Sequence, residues 1–208
     1  MSKARVKICG ITSIEDALVA LGAGADALGL VFYAASPRAV SIQQAREIAQ
    51  AAGPFIAVTG LFVDADPVFV DAVLKEVPLH LLQFHGKESP EYCARFQRPY
   101  LKALRMRPEL DVDASIQSYP DASGILLDAY RPGVPGGTGE TFDWARVPAS
   151  SVKPIVLAGG LSPANVADAI RATAVYGVDV SGGVESAPGK KDHNKIISFI
   201  NNVRLAAD

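Results

Sequence analysis

The sequence predicts a single (β/α)8 barrel, an α/β fold in which eight parallel strands alternate with helices. Short, mostly apolar runs recur along the chain, as expected for parallel strands that are covered on both faces. Segments with helical periodicity separate these runs at about one βα unit each, a spacing that also suits an open α/β sheet. The 208 residues allow one well-buried domain over residues 1–208, a little shorter than the ~250 residues typical of such a barrel.

The candidate strands are defined by apolar runs that end at polar residues or glycines. In chain order they are Arg5–Cys9, Ala27–Phe32, Phe55–Val63, Leu79–Phe84, Tyr100–Arg105, Gly124–Asp128, Pro154–Ala158 and Tyr176–Val180. In a barrel, the loops that follow the strands form the catalytic face. The residues at the carboxyl ends of these runs are therefore the candidates for function.

The helices between the strands are predicted from apolar spacing and from capping residues. Apolar residues at i, i+3, i+4 and i+7 begin at Ile14, Ala45 and Ile196, and further helices are expected near Ala114 and Trp144. The candidate helix starts are Thr12 with Glu15, Ser41 with Gln44, Asp66-Pro67, Ser89-Pro90 and Ser162-Pro163. The Gly- and Pro-rich stretch Arg131–Gly139 follows the sixth strand and is predicted to be a mobile active-site loop.

Composition and charge restrict the classes of function. Apolar residues make up 49% of the chain, which is typical of a soluble globular domain. The net charge of -2 does not indicate the broad positive surface that binds nucleic acid or an anionic membrane. No apolar run approaches the ~20 residues of a membrane span, and no signal-peptide pattern precedes the first strand, so a cytoplasmic location is expected. Cys9 and Cys93 do not suggest a disulfide framework. Both a monomer and a homodimer stay open.

Glycine pairs follow the seventh and eighth candidate strands. Gly159-Gly160 comes directly after the seventh strand, and Ser181-Gly182-Gly183 comes after the eighth. Glycine lets the backbone approach a ligand closely, and successive N–H groups can form an anion site. Phosphate sites in barrels often use these two loops. One pair alone could simply turn the chain, but two pairs in adjacent units favour phosphate binding.

Cys9 ends the first strand and shares a strand face with Lys7. Cys9 is either an inert, small apolar residue or, as a thiolate, a base or nucleophile whose pKa a nearby positive charge would lower. Lys7 is costly to bury unless it is paired, and Asp179 at the end of the eighth strand is a candidate partner. The alternative is that Lys7 lies along the barrel wall with its amine in water.

Three further side chains follow strand ends. Asp128 is either a loop cap or an acid/base group, and a general acid must keep its proton near neutral pH. Arg38 follows the second strand, and its planar guanidinium suits a carboxylate or phosphate unless it is simply solvated. His85 follows the fourth strand and is a site, capping or packing residue. Together with His80 and His193 it has no metal-ligand spacing, so no metal is expected.

Short motifs surround these residues, and they follow one another along essentially the whole chain. They include Lys7-Ile8-Cys9-Gly10-Ile11-Thr12, Ser36-Pro37-Arg38, Leu82-Gln83-Phe84-His85-Gly86, Leu126-Leu127-Asp128, Gly136-Gly137-Thr138-Gly139, Ala158-Gly159-Gly160-Leu161 and Val178-Asp179-Val180-Ser181-Gly182-Gly183. As an ordered set, they resemble the phosphoribosylanthranilate isomerase family of tryptophan biosynthesis. Phe84, where the family more usually has Leu, and Ala158, where Ser is common, are mild departures.

The resemblance implies the Amadori rearrangement of N-(5-phosphoribosyl)anthranilate to 1-(2-carboxyphenylamino)-1-deoxyribulose 5-phosphate, without cofactor or metal. Asp128 would then be the general acid that protonates the ribose ring oxygen, and Cys9 the general base that removes a proton from the adjacent sugar carbon. Arg38 would hold the anthranilate carboxylate, and the backbone of the glycine loops would hold the phosphate. The implied substrate contacts are Arg38, His85, Gly159, Gly160, Asp179, Ser181 and Gly182.

Other readings of the same barrel stay open. The related isomerase of histidine biosynthesis uses two aspartates, sugar-phosphate epimerases need metal ligands, and indole-glycerol phosphate synthase needs a Lys and Glu set. A non-catalytic phosphosugar-binding barrel would be expected to lose Cys9, Asp128 or Arg38, all of which are present. An isomerase of a related aminoaldose phosphate is the remaining alternative.

Overall fold

The computed structural model describes residues 4–129 and 141–206, whose strands form a closed parallel barrel. The strands pair in chain order, and β1 pairs with β8 to complete the ring. They are β1 (Arg5–Cys9), β2 (Ala27–Val31), β3 (Ala57–Phe62), β4 (Leu81–Phe84), β5 (Tyr100–Arg105), β6 (Gly124–Asp128), β7 (Ile155–Leu157) and β8 (Gly177–Val180). The predicted (β/α)8 barrel is confirmed, and the predicted loop Arg131–Gly139 lies outside the described residues.

Helices follow most strands and pack on the outside of the barrel. They are α1 (Ile14–Ala23), α2 (Ile42–Ala52), α3 (Pro67–Glu76), α4 (Pro90–Ala94), α5 (Val112–Gln117), α6 (Val166–Thr173) and α7 (His193–Leu205). The helix expected near Trp144 is only a 3₁₀ helix, Trp144–Arg146. After β8, a short antiparallel hairpin of β9 (Glu185–Ala187) and β10 (Lys190–Lys191) precedes α7. Within the described ranges, no helix combines the length and apolarity needed to cross a bilayer.

Several predicted strands were too long at their ends. The third was expected at Phe55–Val63, but pairing with β2 begins at Ala57, and Phe55 is fully exposed. The fourth was expected to begin at Leu79, but its ladder begins at Leu81. These flanking apolar residues have no partner strand opposite them, and apolar character alone does not reveal where a hydrogen-bonded ladder stops.

Two predicted helix starts were wrong, and three were confirmed. Ser13, not Thr12, caps α1 by accepting a hydrogen bond from the amide of Asp16. Ser162-Pro163 does not start α6, which begins at Val166 after Asn165. The side-chain oxygen of Asn165 instead accepts from the amide of Ser162, so residues 162–165 form a turn. The predicted caps observed in place are Ser41 of α2, Asp66 of α3 and Ser89 of α4.

Side chains alternate along each strand, so they pack in two apolar layers, one between the strands and helices and one inside the ring. Outward-facing residues such as Ile8 and Phe84 join the main core between the strands and helices. Burying a side chain of this size stabilises the fold by roughly 1.5–3 kcal/mol. Inside the ring, smaller apolar groups pack against each other near Leu126 and near Leu61. The inward residues at the carboxyl ends of the strands are left to form a cavity.

The apolar spacing that predicted α1 does not coincide with its buried face. Ala17 and Ala20 are buried, whereas Ile14 and Leu18 are 41% and 50% exposed. The small alanines let α1 approach α2 and α7 closely, so the larger side chains are turned outward. The periodicity was therefore correct for the helix but not for the side that is buried.

Candidate active site

A cavity of about 390 Å³ lies at the carboxyl ends of the barrel strands. This is the face on which barrel enzymes place their catalytic residues. All the site residues expected from the sequence line it, namely Cys9, Arg38, His85, Asp128, Gly159, Gly160, Asp179, Ser181 and Gly182. Apolar walls from Val31, Leu61 and Leu161 complete the cavity. An apolar pocket with a few converging polar groups is typical of a small-molecule site.

Cys9 lies in a charged but buried part of this cavity. Lys7 points into the barrel, and its Nζ lies 2.9 Å from Oδ1 of Asp179, which confirms the pairing predicted from the sequence. The register of β1 and β8 places these two residues directly opposite each other. Cys9 is only 5% exposed, and its thiol lies on the same side of β1 as Lys7.

The ionisation of Cys9 reflects opposing influences. Burial raises the pKa of the Cys9 thiol above its ordinary value because the charged form is poorly solvated, and the carboxylate of Asp179 adds to this rise. The ammonium groups of Lys7 and Lys191 act in the opposite direction. For Lys7, burial alone would lower the pKa, but Asp179 and Cys9 outweigh it, so the pKa of Lys7 is raised and the ammonium stays charged.

Asp128 ends β6 on another side of the cavity and is held by a histidine. Nε2 of His85 lies 3.0 Å from Oδ2 of Asp128, and Nδ1 of His85 lies 3.0 Å from the amide nitrogen of Gln83. With Gln83 donating to Nδ1, neutral His85 carries its proton on Nε2 and donates it to Asp128. The amide oxygen of Gln83 has no hydrogen-bond partner among the described residues. These contacts orient the carboxylate toward the cavity.

Arg38 is fixed by the hairpin that follows β8. Its Nε and Nη2 each lie 2.7 Å from an oxygen of Glu185, a bidentate arrangement with strong directional preference. Nζ of Lys191 donates to Glu185 at 2.9 Å and to the carbonyl oxygen of Cys9 at 2.6 Å. Hydrogen bonding to Arg38 and the charge of Lys191 outweigh burial, so the pKa of Glu185 is lowered and its carboxylate stays ionised.

The two glycine loops touch each other at the edge of the cavity. Gly159 and Gly160 have φ angles of 81° and 65°, which favour glycine because other side chains would be strained there. A Cβ on Gly183 would lie 1.8 Å from the carbonyl oxygen of Leu161, so the loop after β8 packs directly on the loop after β7. Ser181 and Gly182 then bring their backbone alongside the first pair. Such adjoining loops suit an anion.

Sequence reasoning did not identify three of the residues that shape this site. Gln83 lies in one of the motifs but had no assigned role, and Glu185 and Lys191 had no predicted contact. Glu185 reaches Arg38 across 147 positions of sequence, so only the folded barrel shows the pair. Among the described residues, no group of three or more His, Cys, Asp or Glu side chains is arranged to hold a metal ion.

Comparisons with known proteins agree on one family. A family model described as N-(5'-phosphoribosyl)anthranilate (PRA) isomerase matches residues 6–202. An N-(5'-phosphoribosyl)anthranilate isomerase of Cellvibrio japonicus is 71% identical over 200 residues, which cover 96% of this chain and 93% of the relative. A Pseudomonas fluorescens protein of the same name is 58% identical over 204 residues, covering 98% and 100% of the two chains.

Solved structures show the same relationship. The phosphoribosyl anthranilate isomerase of Thermotoga maritima has a TM-score of 0.89 and 41% identity, and the match covers 97% of this chain and 99% of that one. A phosphoribosyl anthranilate isomerase in complex with reduced 1-(o-carboxyphenylamino)-1-deoxyribulose 5-phosphate has a TM-score of 0.86 and 39% identity, with the same coverage.

Proposed function

The chain belongs to the N-(5'-phosphoribosyl)anthranilate isomerase family and catalyses that isomerisation in tryptophan biosynthesis, and we propose that Cys9 and Asp128 are its general base and general acid. The observation that carries this assignment is the cavity itself. It presents one thiol and one histidine-held carboxylate among groups suited to a phosphate and a carboxylate. An aldose-to-ketose rearrangement needs one group to give a proton and one to take a proton.

Asp128 acts in the first step, which opens the ribose ring. The carboxyl group of Asp128 gives its proton to the ring oxygen while the lone pair of the amine nitrogen forms a C=N bond to the anomeric carbon. The bond between that carbon and the ring oxygen breaks, and the product is a protonated Schiff base. His85 holds the carboxylate in place during this transfer through its 3.0 Å contact.

Cys9 acts in the second step, which moves the double bond. The thiolate of Cys9 removes the proton from the sugar carbon next to the C=N bond, and the electron pair of that C–H bond neutralises the positive nitrogen. The resulting enolamine tautomerises to the ketone of the product. Positioned acid and base groups of this kind typically contribute ~10²–10⁴-fold each to a rate.

Substrate binding is assigned to groups at the two ends of the cavity. We propose that Arg38 attracts the anthranilate carboxylate with the N–H groups that are not directed to Glu185. The backbone of the glycine loops would bind the phosphate, with His85 and Asp179 as further contacts. The ligand named in the solved complex of a related isomerase carries both a carboxyphenyl group and a 5-phosphate, which supports a site with two separate anion contacts.

The proposal also covers the domain organisation of the chain and the cellular location of the enzyme. We take residues 1–208 as a single barrel domain, supported by a family match that spans residues 6–202. We place the enzyme in the cytoplasm, because a phosphorylated substrate carries charge that is costly to move into a bilayer.

The test follows the fluorescence of freshly prepared phosphoribosylanthranilate as the enzyme consumes it. We expect rapid loss with the wild type and near-complete loss of turnover in Cys9→Ser and Asp128→Asn. Cys93→Ser is the matched control, because Cys93 is buried in α4 away from the cavity. Turnover by a folded Cys9→Ser at the wild-type rate would refute the assignment of the base.

A further inference from the structure

Lys7 is a buried cation that the acid–base mechanism does not use. It is 5% exposed and does not line the cavity. One of its three N–H donors is directed to Asp179 at 2.9 Å. A buried lysine is retained only where its charge is compensated, and its remaining donors need acceptors.

The ammonium of Lys7 and the sulfur of Cys9 lie on the same side of β1, next to Gly29. Gly29 lies opposite Cys9 on β2, and a Cβ placed there would lie 2.7 Å from Sγ of Cys9 and 3.1 Å from Nζ of Lys7. The sulfur and the ammonium therefore share the space that the absent side chain of Gly29 leaves open. The ammonium therefore lies near enough to the sulfur for its charge to lower the pKa of the thiol.

The other cations near Cys9 are already committed to other acceptors. Nζ of Lys191 donates to the carbonyl oxygens of Cys9 and Ser181 and to Glu185, so its three donors are in use. Arg38 forms its bidentate contact with the same Glu185. Of the two ammonium groups near Cys9, Lys7 is therefore the one with donors left over for the sulfur.

We infer that Lys7 is a positioning residue that acts through Cys9, providing the counter-ion of the thiolate, while Asp179 keeps the ammonium oriented. This inference rests on the proposed role of Cys9 as the base. Before proton transfer, the ammonium lies between the thiolate and the carboxylate. After the thiolate has taken the proton from carbon, the neutral thiol remains beside an intact Lys7–Asp179 pair. No step leaves an isolated buried charge, which would be costly.

The direct test measures how fast iodoacetamide alkylates Cys9 as a function of pH, without substrate. Only the thiolate reacts, so the midpoint of the profile reports the ionisation of Cys9, and the product is quantified on the Cys9 peptide by mass spectrometry. In Lys7→Met, we expect the midpoint to move to higher pH by about one unit or more, and the alkylation rate at neutral pH to fall about tenfold.

A second variant keeps the test valid if Lys7→Met does not fold. Lys7→Met leaves Asp179 without its counter-ion, so the double variant Lys7→Met/Asp179→Asn removes both charges together. Lys102→Met is the matched control, because Lys102 is also buried and ion-paired, with Glu88 at 2.9 Å, but does not face Cys9. Its alkylation profile should match the wild type. Because Asp179 itself raises the pKa of Cys9, the double variant is compared with Asp179→Asn and Lys7→Met with the wild type. The midpoint should rise in each comparison, and an unchanged midpoint in both would overturn the inference.

Measurements of turnover distinguish a failure of this inference about Lys7 from a failure of the assignment of Cys9 as the base. In Lys7→Met, we expect the rising limb of the kcat profile to move to higher pH, with the rate recovering at alkaline pH. If Cys9→Ser remains fully active, the role of Cys9 fails, whatever the alkylation shows. If Cys9→Ser is inactive but the Lys7 variants keep the wild-type alkylation and kcat profiles, only the role of Lys7 fails.

Discussion

Gly29 leaves the space in which the sulfur of Cys9 and the ammonium of Lys7 meet. We predict that Gly29→Ala lowers kcat by one to two orders of magnitude, because a new methyl group 2.7 Å from Sγ must displace the thiol, and displacements of about 1 Å can cost ~10²-fold. The free energy of unfolding should fall by about 1–3 kcal/mol through overpacking. Steady-state kinetics and urea denaturation measure the two effects.

Gly22 provides the matched control for this substitution. It lies in α1, and a Cβ there would meet nothing within 4 Å. Gly22→Ala should therefore leave kcat unchanged and stabilise the helix by roughly 0.5–1 kcal/mol. If Gly29→Ala behaves like Gly22→Ala, the close contact around Cys9 does not constrain the reaction.

Single residues also show what the sequence could predict about the site. The pairing of Lys7 with Asp179 follows from strand alternation, together with the adjacency of the first and last strands in a closed barrel. The contact of His85 with Asp128 joins β4 and β6 across the cavity, and no local pattern specifies it. Strand-end positions were predictable because they are local, whereas side-chain partners depend on the completed ring.

The β9–β10 hairpin connects the loop after β2 with the end of β8. We predict that Glu185→Gln raises KM by about tenfold with a smaller effect on kcat, because Arg38 would lose a charged, bidentate partner and with it a fixed orientation. The measurement is steady-state kinetics over a range of substrate concentrations.

The control for this variant is Ser186→Ala in the same hairpin. Ser186 is exposed, and its hydroxyl donates to the carbonyl oxygen of Lys190 in the same hairpin, so its removal should leave both constants near the wild-type values. A Glu185→Gln enzyme with unchanged KM would show that Arg38 needs no support from the hairpin to bind the substrate.

Helix starts show why some element boundaries escaped prediction. Thr12 and Ser13 are both suitable capping residues, and the choice between them depends on a distant partner. The hydroxyl of Thr12 donates to the carbonyl oxygen of Gly189, 177 positions away, which leaves Ser13 to cap α1. Asn165 similarly replaces Ser162, because its amide also donates to the carbonyl oxygen of Gly160. Periodicity predicted α1 and a capping pair predicted α6, but the contacts of Thr12 and Asn165 set the first residues of the two helices.

At the scale of the whole molecule, an aromatic cluster around Phe84 makes the fold sensitive to alkali. Burial raises the pKa of Tyr92, Tyr100 and Cys93 to about 12 in each case, because the charged forms would be poorly solvated. Their folded-state pKa values exceed the unfolded ones, so their contribution to stability is complete below the ordinary values and is lost as pH rises toward about 12. We therefore predict cooperative unfolding in this alkaline range, measured by circular dichroism.

Tyr100→Phe tests the origin of this sensitivity. The hydroxyl of Tyr100 is buried and has no hydrogen-bond partner among the described residues, so its removal should cost little stability at neutral pH. The variant should unfold at a higher pH than the wild type, because one of the groups that ionise on unfolding is gone. An unchanged or lower midpoint would assign the alkaline transition to other groups.

The ion pair of Lys7 and Asp179 has a consequence for how the chain is made. The two residues are separated by 172 positions and belong to the first and last strands of the ring. A ribosome therefore releases the first strand, with its lysine and its cysteine, long before the carboxylate that compensates the lysine has been synthesised. Until the eighth strand docks, burying the first strand is penalised by an unpaired charge. The growing polypeptide should consequently remain loose and inactive, and the reactive thiol should acquire its special environment only when synthesis is nearly complete.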